Sequence, residues 1–125
     1  MRALIVDDSR FVRGYVRSLL EAKGIECEEA GDGQAALELV LAGQPFDVAL
    51  VDWNMPVMSG VEFTRHLRAR PDGQTVPILM VTTRSSREDI VAAVEAGVNN
   101  YILKPFTPQV LKEKIELLLQ DAVAA

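Results

Sequence analysis

Four short apolar runs, each ending abruptly in polar residues, constrain this chain more than anything else in it. Ala3-Leu4-Ile5-Val6 gives way to Asp7 and Asp8, and Val48-Ala49-Leu50-Val51 to Asp52. Pro77-Ile78-Leu79-Met80-Val81 gives way to Thr82, and Tyr101-Ile102-Leu103 to Lys104. Continuous apolar runs of this length, without in/out alternation, are the pattern of strands buried on both faces, which is the situation of parallel strands covered by helices. A weaker strand is predicted over Glu26–Ala30.

The intervening segments carry helical spacing and end signals. Ser9 can cap a helix in which Phe11, Tyr15 and Leu19 recur every four residues beside Val12, Val16 and Leu20, with Gly24 as the stop. A second helix is predicted over Gly33–Ala42, and Pro45 marks the loop after it. Ser59 with Glu62 forms a capping-box pattern for a third, closed by Pro71-Asp72-Gly73. Ser86 with Asp89 opens a fourth along Ile90, Val94 and Gly97. Thr107-Pro108 opens a fifth, with Leu111, Ile115 and Leu118 on its inner stripe.

Five strands alternating with five helices define an α/β, doubly wound parallel sheet, because right-handed crossovers place helices on both faces. Ligands of such sheets sit beyond the carboxyl ends of the strands, where the strand order reverses. With 125 residues, 49% of them hydrophobic, the chain suffices for one core, so residues 1–125 are expected to form a single domain. A net charge of −5 and the lack of a Lys/Arg run argue against nucleic acid as a partner. No segment reads as a signal peptide or membrane span, and the single cysteine, Cys27, reads as a buried structural thiol. A cytoplasmic location is expected.

The residues closing the strong strands are chemically complementary. Three carboxylates, Asp7, Asp8 and Asp52, would repel in a shielded cleft, and a hard divalent cation with oxygen ligands relieves this; Mg²⁺ is the natural candidate. A metal-bound carboxylate beside a lysine and a threonine hydroxyl outlines a phosphoryl-transfer site with an aspartate nucleophile. His66 falls inside the third helix, reads as a surface or boundary residue and is given no role.

The stretches LIVDDS, VDWNMPVMSG, MVTTRSS and YILKPF resemble, in order, the signature segments of response-regulator receiver domains, over essentially the whole chain. The similarity is greatest to single-domain, chemotaxis-type regulators. The resemblance implies a flavodoxin-like receiver fold with strand order 2-1-3-4-5 and a phosphorylation-dependent signalling switch rather than an enzyme acting in trans. It implies Asp52 as phosphoacceptor, Mg²⁺ held by Asp8, Asp52 and the backbone carbonyl of Asn54, and Asp7 acting through a coordinated water. Thr82 and Lys104 match the groups that contact the phosphoryl oxygens, Lys104-Pro105 a peptide bond usually held cis, and Thr82 with Tyr101 the switch pair. Tyr101 is expected to turn inward on phosphorylation. The implied partners are a sensor histidine kinase or phosphotransfer protein, and a target docking on the face of helix 4, strand 5 and helix 5.

Thr83 and Arg84 depart from the family pattern and are expected to tune the lifetime of the phosphoryl group. A Mg²⁺-dependent aspartyl phosphohydrolase is the first rival; it needs a nucleophile and an acid separated by one residue, whereas Asp7 and Asp8 are adjacent. A flavin module is the second; it needs a phosphate-cradling loop where Asp7-Asp8-Ser9-Arg10 stands. A receiver serving as phosphate sink, or cut from a larger regulator, is the remaining alternative; the ending Ala122-Val123-Ala124-Ala125 favours the stand-alone form.

Overall fold

The computed structural model describes every residue except Gln44 and Ala125, so the terminal boundary predicted at Ala125 lies outside the described residues. The strands are β1 (Arg2–Val6), β2 (Glu26–Ala30), β3 (Val48–Asp52), β4 (Ile78–Thr82) and β5 (Asn100–Leu103). The helices are α1 (Arg10–Glu21), α2 (Gly33–Leu41), α3 (Gly60–Arg68), α4 (Arg87–Ala96) and α5 (Pro108–Ala124), with a 3₁₀ turn at Pro71–Gly73. All strand pairs are parallel, in the order β2-β1-β3-β4-β5, so the reversal lies between β1 and β3.

The period-2 alternation of the buried strands divides the core in two. Leu4, Val6, Ala49, Val51, Ile78 and Met80 pack against α2, α3 and α4. Ala3, Ile5, Val48, Leu50, Leu79 and Val81 face α1 and α5, whose Val16, Leu20, Leu111, Ile115 and Leu118 complete that half. Cys27 is buried, its thiol pushed upward by desolvation first.

The predicted caps form. Ser9, Ser59 and Ser86 each accept a bond from the backbone N–H three residues on, and only Ser59 and Glu62 make the full reciprocal box. Asp32 caps α2 in the same way. Strand ends shift by one residue: Pro77 has no N–H to place in a ladder, so β4 starts at Ile78, although the Pro77 carbonyl still accepts from Ala49 N at 2.9 Å.

Two apolar expectations are corrected. Phe11 is 83% exposed because α1 turns Val12, Val16 and Leu20 to the core, leaving the ring beside Phe106 and Pro108 across an open groove. Val94 is also exposed, because α4 turns Ala93 and Ala96 inward and packs chiefly against α3. Arg68 secures that contact. Its guanidinium donates to the Gly97 carbonyl at 2.8 and 3.1 Å, to the Gly73 carbonyl at 2.7 Å and to Asn99 Oδ1 at 3.0 Å.

Candidate functional site

Because β1 and β3 are neighbours in the sheet, their carboxyl ends deliver Asp7, Asp8 and Asp52 to one place. One oxygen of each carboxylate lies within 4.8 Å of the others. Asp7 and Asp52 are buried, whereas Asp8, on the turn into α1, is exposed. Asp7 is held on every side: its Oδ1 accepts from Ser9 N at 2.8 Å, its Oδ2 from Lys104 Nζ at 3.1 Å, and its backbone carbonyl from Arg13 at 2.6 Å.

Lys104 reaches this cluster from the far edge of the sheet. Its ammonium also stands 3.6 Å from Asp52 Oδ2. The cis Lys104–Pro105 peptide bond implied by the family resemblance is present. Thr82, fully buried at the end of β4, presents a hydroxyl that accepts from Arg84 N at 3.1 Å.

Three carboxylates against one ammonium leave the cluster short of positive charge. Burial first, then the charge of Asp7, pushes the Asp52 carboxyl up to about 6, and Lys104 only partly opposes this. An acidic, all-oxygen donor set fits a hard divalent cation, which favours clustered carboxylates that would otherwise hold protons. The cluster could therefore bind a metal. The backbone approach that frames it is tight: a Cβ on Gly60 would collide with the Asp52 carbonyl. Only glycine lets α3 begin that close to the strand end.

Asn54 is exposed on the loop after β3, and its Oδ1 accepts from Arg84 Nε at 3.0 Å. The Arg84 guanidinium also lies 4.8 Å from the centroid of the Trp53 ring and 3.6 Å from Asp89 on α4. Tyr101 is half-buried against the core, its hydroxyl donating to the Arg84 carbonyl at 2.6 Å. Burial and the charge of Asp89 push the phenol upward, so it remains a donor. Thr83 and His66 are exposed.

Residues 3–116 match the sequence profile of the response regulator receiver domain. The chain belongs to the response-regulator receiver family. A chemotaxis protein CheY of Pseudomonas aeruginosa is 45% identical to this receiver over 121 residues, 96% of the chain and 97% of the relative. A CheY homolog of Campylobacter jejuni is 43% identical over 120 residues, 95% and 92% of the two lengths. Among solved structures, the receiver superposes on Vibrio cholerae CheY4 with a TM-score of 0.86 at 37% identity, covering 94% of this chain and 97% of the other. It superposes on the receiver domain of the Pseudomonas aeruginosa sensor kinase PA1611, a structure with magnesium coordinated in its active-site cleft, with a TM-score of 0.80 at 27% identity over 99% and 98% of the chains.

Sequence reasoning did not find Arg13 or Arg68. Arg13 stands one turn before Arg17 on α1, and both bond Glu29 of β2, at 3.1 and 2.7 Å. The acid-rich β2 segment, ECEEA, was the available signal that α1 had to present cations to it.

Proposed function

We propose that residues 1–125 act as one phosphorylation switch in which Asp52 accepts a phosphoryl group from a histidine kinase, a phosphotransfer protein or a small acyl phosphate. The observation that carries the reading is the ammonium of Lys104 standing 3.1 Å from Asp7 and 3.6 Å from Asp52, at a three-carboxylate cluster. An oxygen of Asp52 attacks phosphorus, the bond from phosphorus to the donor's leaving group breaks, and imidazole or acetate departs with the electron pair. Lys104 neutralises charge on the phosphoryl oxygens and Thr82 donates its hydroxyl to one of them. Asp8, Asp52 and the Asn54 carbonyl would hold Mg²⁺, with Asp7 acting through water, and the ion would supply further charge neutralisation there.

The output runs through Thr82. Its hydroxyl now accepts from Arg84 N, and the Arg84 carbonyl accepts from Tyr101, so drawing Thr82 toward a phosphoryl group pulls on the segment that holds Tyr101. The surface altered is that of α4, β5 and α5, where Val91, Val94, Leu103 and Val110 are exposed. A downstream protein docking there, as a cytoplasmic chemotaxis-type output, is supported by these side chains and by the names of the relatives. Among the described residues no helix is long and apolar enough to cross a membrane.

The test is incubation with acetyl phosphate and Mg²⁺, followed by intact-mass measurement. A single phosphoryl adduct in the wild type and none in Asp52→Asn is expected; an adduct in both, or in neither, overturns the assignment.

A further inference from the structure

We infer that Arg13 is a positioning residue for the acidic cluster, acting through the backbone rather than through any carboxylate. The inference rests on the reading of that cluster as a cation site. The direction in which Asp8 projects depends on the plane of the Asp7–Asp8 peptide, since that plane sets the start of the Asp8 residue. Among the described residues the Asp8 carboxylate makes no hydrogen bond of its own, and it is exposed, so nothing acting on its side chain aims it. The peptide plane is held instead through the backbone: Ser9 N closes a turn across it onto Asp7 Oδ1 at 2.8 Å, and on its carbonyl side Arg13 Nη1 donates to Asp7 O at 2.6 Å.

Arg13 is itself fixed. Its Nε donates to Glu29 Oε1 at 3.1 Å, while Arg17 Nη1 donates to the other oxygen, Glu29 Oε2, at 2.7 Å. The guanidinium runs past Gly31, where a side chain's Cβ would lie 3.6 Å from Nη1, and it is only 18% exposed. A planar fork with several donors serves both partners at once, one nitrogen for the carboxylate and another for the carbonyl, which a single ammonium cannot do with the same geometry. The paired arginines, the β2 glutamate and the peptide form a relay that links the outermost strand to the cation site. Groups that orient ligands in this way commonly change metal affinity by about 10- to 100-fold when removed.

Arg17 supplies the control. It bonds the same glutamate without touching the Asp7 carbonyl, so removing it weakens the ion-pair network and leaves the peptide held. Mg²⁺ titration of the full chain, read by Trp53 fluorescence and by calorimetry at a temperature where circular dichroism shows each variant folded, separates the two. Arg13→Ala is expected to bind Mg²⁺ about tenfold more weakly than the wild type, Arg17→Ala within about twofold of it, and Arg13→Lys in between.

Wild-type affinity in folded Arg13→Ala, or an equal loss in Arg17→Ala, overturns the inference while leaving the cation site standing. Should Arg13→Ala not fold, wild-type affinity in Arg13→Lys overturns it equally. Absence of any Mg²⁺ binding by the wild type overturns the cation site and this inference together.

Discussion

In the metal-free protein the Asp52 carboxyl is displaced from 3.8 to about 6, by burial first and then by its acidic neighbours. A folded state that binds a proton more tightly than the unfolded chain loses stability as pH rises through the interval between the two values, and the loss is complete above about 6. Asp52→Asn is therefore expected to stabilise the metal-free protein at neutral pH by about 1 to 3 kcal/mol, at ~1.4 kcal/mol per unit of displacement, and to give no gain near pH 4. Denaturant unfolding at the two pH values checks this. Val57 is a second residue under load: it is β-branched, 80% exposed and held at φ +69°. Left-handed backbone costs such a residue about 1 to 2 kcal/mol, so Val57→Asn or Val57→Gly is expected to raise stability by about 1 kcal/mol in the same assay. Arg84 touches Trp53 and Asn54, which follow Asp52 in the chain, and Asp89 on α4. Arg84→Ala is expected to change the lifetime of phosphorylated Asp52 at least about threefold, a modest ~0.7 kcal/mol effect on the barrier; an unchanged decay, followed by loss of the adduct mass, would remove the tuning role. At this scale the strand-end acids, Thr82 and Lys104 were legible because a buried apolar run that stops on a polar residue marks a strand terminus. Arg13 was not, since an arginine on an amphipathic helix reads as solvent-facing until the partner strand is in place.

The elements were legible in proportion to how fully they bury. β3 and β4 lie entirely in the interior and their apolar runs locate them to within a residue. β2, at the sheet edge, survives as ECEEA because Glu28 and Glu29 find Arg2, Arg13 and Arg17, and its charge also discourages pairing with another chain. The outward turn of Phe11 was not legible, because spacing identifies a broad stripe and not which of its edges the core covers. Between α3 and α4 the decisive contact is one arginine. Arg68→Ala would strip bonds from the carbonyls of buried Gly73 and half-buried Gly97, and a cost of about 2 to 3 kcal/mol is expected in chemical denaturation.

Across the whole molecule, strand order does what no local signal can. Placing β1 beside β3 makes one acidic cluster from segments far apart in the chain, and placing β4 and β5 beyond them brings a hydroxyl and an ammonium to the same rim. A cation bound there would stabilise the folded chain by mass action, about 2.7 kcal/mol when free Mg²⁺ is a hundred times its dissociation constant. Thermal unfolding with and without Mg²⁺ is expected to show that gain in the wild type and its loss in Asp52→Asn. The longest of these connections joins Lys104 to Asp7 across 97 residues. A chain still emerging from synthesis thus owns the three clustered acids long before it owns the ammonium that faces them, and the strand that finally brings that ammonium is the one that carries Tyr101. A half-made copy therefore carries the carboxylates without the cation that faces them, and the two meet only once the last strand is in place.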